Sequence, residues 1–204
     1  MKEEKNDKAR GSLLQQIKDE VFALKKSPLY ALRIKNKVLP VIGEGSCFAK
    51  TMFIGEAPGK NEALTGRPFC GASGKILNEL LESVGLKRED VYITNIVKDR
   101  PPANRDPEAN EIEIYGPFLD RQIEIIQPKV IATLGRFSMS YVMNKLNLGS
   151  ELQPISVLHG KFFEAETSYG KVRILPLYHP AAAIYNQHLK DTLKKDFQIL
   201  KKYK

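Results

Sequence analysis

Apolar residues gather along the chain in two rhythms, short unbroken runs and longer stripes with helical spacing, and the two alternate. Met52, Phe53 and Ile54 form a run that Gly55 ends, which predicts a buried strand near 51–55. Further strands are predicted over 91–96 and 130–134, and a hairpin-like pair around 155–165 and 171–177. Between the strands, Leu13, Leu14, Ile17, Val21, Phe22 and Leu24 make one stripe, a helix over 13–26 capped by Ser12 and ended by Pro28. Ile76, Leu77, Leu80, Leu81 and Val84 make another, which Gly85 stops. Asp106-Pro107 has the cap and first-turn signature of a helix running to Ile126, with a kink or restart at Gly116-Pro117. Helices over 136–146 and about 188–202 complete the set, and residues 1–11 read as a solvated tail before a single domain over 12–204.

Strands alternating with helices predict an α/β fold with a largely parallel sheet covered on both faces. Ligands of such sheets bind beyond the carboxyl ends of the strands. Those ends carry Gly55-Glu56, Asn95, Gly135-Arg136 and His179-Pro180, so four polar features converge on one edge. The loop after the first strand adds Pro58-Gly59, which fixes a turn, then Phe69 just ahead of Gly71 and Gly74, where backbone can approach closely.

Composition narrows the chemistry. With 204 residues, 42% of them hydrophobic, the chain has enough material for one sizeable core. No apolar run approaches the roughly 20 residues of a membrane span, and the charged start MKEEKNDKAR has no apolar segment behind it, so a cytoplasmic protein is expected. The net charge of +8, spread over the chain, favours a polyanionic partner. Cys47 and Cys70 are too few for a tetrahedral metal site and read as small buried or half-buried thiols. The glycines match neither G-x-x-x-x-G-K-[ST] nor G-x-G-x-x-G, three histidines without H-E-x-x-H give no zinc site, and no G-x-S-x-G elbow occurs.

GEAPG at 55–59 with GRPF at 66–69, VYITN at 91–95, RPPANRDP at 100–107 and YHPAA at 178–182 resemble, in that order, the motifs of family 4 uracil-DNA glycosylases. The resemblance runs from about Leu24 to the carboxyl terminus and implies a four-stranded parallel sheet between helices. The implied activity is hydrolysis of the N-glycosidic bond of deoxyuridine in single- or double-stranded DNA, without a metal, in a protein of bacterial or archaeal type; a monomer is the default expectation. A non-catalytic DNA-binding relative, or a glycosylase for hypoxanthine or xanthine, are the alternatives.

Carried over residue by residue, the resemblance makes Glu56, Asn95 and His179 the reacting set. Glu56 would orient or deprotonate the attacking water, while the backbone around Gly55, Glu56 and Ala57 faces the base. Asn95 would accept from uracil N3–H and donate to O4, a pattern cytosine reverses, and His179 would donate to O2 as negative charge collects there. Phe69 would stack on the extruded base. Glu62 matches a family glutamate and would either wall the pocket where a thymine methyl would go or pair with a lysine. The apolar wedge falls on Ala183, Ile184 and Tyr185, with Ile184 the best candidate, and Lys98, Arg100, Arg105 and Arg136 are candidate phosphate partners.

Typical members of the family carry four cysteines that bind an iron-sulfur cluster, and those places here hold Leu24, Ser27, Asp99 and Tyr115. The expectation is therefore a cofactor-free protein, its segments held by packing of Leu24 and Tyr115 and by an ion pair from Asp99 to Arg100 or Arg105.

Overall fold

A computed structural model of the chain describes residues 2–203. Six strands form one sheet: β1 (Glu44–Gly45), β2 (Thr51–Gly55), β3 (Tyr92–Asn95), β4 (Val130–Leu134), β5 (Phe163–Thr167) and β6 (Gly170–Leu177), in the order β1-β3-β2-β4-β6-β5. The inner four strands are parallel, and β1 and β5 are antiparallel edges. The expected parallel four-strand sheet is thus the centre of a larger mixed one. β1 is only a two-residue bridge and carries no apolar alternation, which is why the sequence pattern did not mark it.

Every residue of β2, β3 and β4 is buried, as helices on both faces require. Side chains alternate between two cores. Phe53, Ile93 and Leu175 face α4 (Ala72–Ser83) and α8 (Gln187–Phe197), whereas Met52, Ile54 and Ile174 face α5 (Ala109–Ile126) and α6 (Arg136–Lys145). A third cluster joins α1 (Lys2–Phe22) and α2 (Pro28–Lys35) to α5 through Ile17, Val21, Leu29 and Tyr115. Two short helices, α3 (Lys60–Thr65) and α7 (Ile155–Leu158), fill connections.

Several boundaries differ from the sequence pattern. α1 starts at Lys2 and not after Ser12, because the charged segment before it consists mainly of good helix formers. Pro28 does not end a helix but opens α2 as its first residue, with the Ser27 hydroxyl accepting from Leu29 N–H. α5 begins at Ala109 behind a Glu108–Glu111 capping box, not at Asp106, and runs on through Pro117, held by Tyr115, Phe118 and Leu119 packed beneath it. Residues 155–158 are helical, so the hairpin is shorter than expected, and the last helix closes as a 3-10 turn over 198–203.

Candidate active site

The carboxyl ends of the parallel strands frame a cavity of about 290 Å3. Glu56, Ala57, Glu62, Phe69, Asn95, Arg105 and His179 line it, so most of the residues singled out from sequence meet at one place.

Asn95 is the last residue of β3 and lies in register opposite Gly55 of β2. It is only 2% exposed, and its Oδ1 has no hydrogen-bond partner. A buried, unsatisfied carbonyl oxygen costs about 1–3 kcal/mol unless a ligand supplies the missing donor. Gly55 is what lets the amide sit there: a Cβ on it would fall 2.3 Å from Asn95 Oδ1 and 2.6 Å from Phe69 Cζ. Gly55 therefore backs the cavity without lining it.

Phe69 is buried with a backbone φ of 47°, a left-handed conformation that a bulky residue adopts only when its surroundings impose it. Glu62 helps impose it. Its Oε1 accepts from Cys70 N–H (2.9 Å) and Gly71 N–H (2.8 Å) at the start of α4, so of the two roles open for Glu62 the carboxylate is a fixed wall of the cavity, bonded to backbone amides. Gly74 packs against the Phe69 carbonyl so closely that a Cβ would lie 1.9 Å from it. The centroids of the Phe69 and His179 rings lie 5.7 Å apart, the planes tilted by 33°.

His179 follows β6 and caps the 3-10 turn over Pro180–Ala183. Its Nδ1 accepts from Ala181 N–H at 3.1 Å, which leaves the proton of a neutral imidazole on Nε2. Burial pushes the imidazole down to about 4, and the Glu62 charge opposes this only in part. The ring is thus a neutral donor at physiological pH.

Glu56 behaves oppositely. Burial first, and the negative charge of Asp106 second, push its carboxyl up to about 7, with Arg136 acting against them. A carboxylate with that affinity is matched to taking a proton from water near neutral pH.

The basic residues are more committed than expected. Arg105 gives both terminal nitrogens to the buried Glu111, Arg136 pairs with Asp106, and Arg100 donates to Asn104. Lys98 is fully buried and so is not a phosphate partner. Asp99 pairs with Arg33, not with Arg100 or Arg105, because its side chain turns inward toward α2. Ile184 is half-buried, whereas Tyr185 is 98% exposed; neither lines the cavity. The pattern also missed Ser73 and Asn104 on the cavity wall, of which only Asn104 sat inside a quoted motif.

Residues 42–201 match the uracil DNA glycosylase superfamily. The chain is 46% identical over 189 residues to a type-4 uracil-DNA glycosylase of Sulfurisphaera tokodaii, covering 92% of this chain and 83% of that protein. It is 48% identical to one from Saccharolobus solfataricus (91% and 83% covered) and 45% identical to one from Archaeoglobus fulgidus (91% and 90% covered), each described as a type-4 uracil-DNA glycosylase.

Proposed function

The chain belongs to the uracil-DNA glycosylase superfamily, and from that premise we infer that it hydrolyses the N-glycosidic bond of deoxyuridine in DNA, releasing uracil and leaving an abasic site. The observation that carries this reading is the orphaned Oδ1 of Asn95, buried in a cavity beside Phe69 and His179. Uracil supplies the missing donor through N3–H, its O4 accepts from the other half of the amide, and its O2 accepts from His179 Nε2–H. Phe69 stacks on the ring. The N1–C1′ bond breaks with its electron pair going to the base, where the O2 contact stabilises it. Water adds to C1′ and gives its proton to Glu56, whose negative charge also offsets the oxocarbenium character of the sugar. Free uracil released from a uracil-containing oligonucleotide, with an alkali-labile site left behind, is the test. No release from either single-stranded or duplex substrate refutes the reading.

The substrate must leave the base stack, at a cost of a few kcal/mol in duplex. Tyr185 supports a role in that step better than Ile184, since it projects from the turn after His179 with its ring in solvent. Arg100 and Arg136 complete the basic rim proposed for phosphate contact. We take the enzyme to act as a monomer in the cytoplasm; among the described residues no helix is long and apolar enough to cross a membrane.

We further propose that the protein holds no iron-sulfur cluster. The cluster positions contain no thiolate, and their oxygens are occupied with one another. Tyr115 Oη lies 2.5 Å from Asp99 Oδ2, to which it donates, and 2.8 Å from Ser27 Oγ, which donates to it. Asp99 in turn accepts from Arg33 Nη1 at 3.0 and 3.1 Å, and Arg33 also donates to the carbonyls of Val21 and Phe22 at the end of α1. This buried chain ties α1, α2, α5 and the loop after β3. Stoichiometric iron and acid-labile sulfide in protein purified without oxygen would overturn the proposal.

A further inference from the structure

Behind Asn95 lies a cation that the reaction as described does not use. Lys98 is 0% exposed, and its Nζ donates to Thr94 Oγ1 (2.8 Å), the Asn95 carbonyl (2.6 Å) and Gln122 Oε1 (2.7 Å). No carboxylate pairs with it among the described residues. Burying a charge without a counter-ion costs several kcal/mol, so the site must favour the charged form strongly to keep it.

The acceptors do this. Thr94 spends its hydroxyl proton on the Ile42 carbonyl at 2.6 Å, and Gln122 spends its amide donors on Ile42 O and Tyr92 Oη, so both present only lone pairs to the lysine. Three acceptors match the three N–H bonds of an ammonium group, whereas a neutral amine would set its own lone pair against one of them. Burial works the other way and pushes the group well below its ordinary value. Of the other cations near the cavity, Arg105 is paired with Glu111 and Arg136 with Asp106, Arg100 bonds the neutral Asn104 at the partly exposed rim, and His179 is uncharged.

We propose that Lys98 is held as an ammonium ion and is a positioning residue for base release, locking the end of β3 that carries Asn95 and standing, among the described residues, as the buried positive charge without a carboxylate partner behind the departing base. Electrostatic preorganisation of this kind acts where charge develops and needs no rearrangement during the reaction. The proposal rests on the uracil-excision reading, and its test separates the two.

Wild type, Lys98→Met and Lys98→Arg are compared in single-turnover and steady-state release from single-stranded oligonucleotides holding uracil or 5-fluorouracil, a better leaving group that needs less stabilisation. Lys98→Met is expected to lose about tenfold or more in kcat on uracil with KM within about twofold, to lose clearly less on 5-fluorouracil, and to be partly restored in Lys98→Arg. Equal losses on both bases, or no loss, would overturn the proposal. The amino group of 15N-lysine-labelled wild type gives a second readout that needs no variant activity: a buried ammonium signal at pH 7.5, lost in Lys98→Arg, is expected, and a neutral amine refutes the charge assignment. Failure of wild type to release uracil from any oligonucleotide would strike the excision reading alone, since the ammonium signal is read without substrate.

Discussion

If Glu56 accepts the proton of the attacking water, its ionisation sets the acid side of the pH profile. Only the carboxylate can take the proton, so release slows as pH falls through the carboxyl's affinity of about 7. At pH 5, about two units lower, roughly 1% of the enzyme is competent and the single-turnover rate should lie about 100-fold below its plateau. An ordinary glutamate would remain mostly ionised at pH 5 and give less than a twofold loss. His179 does not blur the profile, because its imidazole gains a proton only near 4. The neighbours supply the control. Asp106→Asn removes an anion that raises Glu56 and should move the acid limb to lower pH; Arg136→Gln removes the opposing cation and should move it higher. Asp106 and Arg136 are both solvent-exposed, so each effect is worth about 1 kcal/mol at most, under about one pH unit. The measurement is uracil release by rapid quench from a single-stranded oligonucleotide, pH 5–8.5 at constant ionic strength. A flat profile, or an Asp106→Asn limb displaced upward, would refute the assignment.

Other substitutions probe the same site. Glu56→Gln should lower kcat by about 10²- to 10⁴-fold while stabilising the fold at pH 8. The sign follows from the folded affinity lying above the unfolded one: stability is greatest below the unfolded value and falls as pH rises through about 7, so the glutamine gains by thermal melting at pH 8 and not at pH 4.5. With the carboxyl half in solvent, that gain should be about 1 kcal/mol. Gly55→Ala should reduce kcat/KM more than tenfold and cost about 1–3 kcal/mol in denaturant unfolding, since its methyl displaces both Asn95 and Phe69. Glu62→Ala should raise KM by releasing the Phe69 loop, while Glu62→Gln, which keeps an oxygen acceptor, should stay near wild type in steady-state assays. Tyr115→Phe should cost about 1–3 kcal/mol in the same unfolding measurement, because it leaves the buried Ser27 and Asp99 short of a partner.

What could be read from sequence was what depends on local rhythm. The runs predicted at 51–55, 91–96 and 130–134 hold the strands Thr51–Gly55, Tyr92–Asn95 and Val130–Leu134 because they are mainly apolar and β-branched, as strands buried on both faces require. Helix starts were less legible: Pro28 reads as a stop but opens α2, and the start read at Asp106-Pro107 lies at Ala109, because tertiary partners make the choice. Ser27 caps α2 while it bonds Tyr115, 88 residues away, and Glu108 caps α5 beside Arg105 and Glu111.

The site divides along the same line. Glu56, Asn95 and His179 were legible because each stands where a strand ends, and strand ends of a parallel sheet converge by geometry alone. Lys98 and Arg33 were not, because nothing local distinguishes a lysine bound for the interior from one bound for phosphate, or an arginine that will meet Asp99 across 66 residues. The two buried cations are bound differently as a result. Arg33 meets a carboxylate and holds segments together, whereas Lys98 meets only neutral oxygens, one of them the main-chain carbonyl of Asn95. A purely structural tie is served by neutralisation, as at Arg33, so a lysine left without a carboxylate behind Asn95 is the arrangement that the proposed role in base release requires.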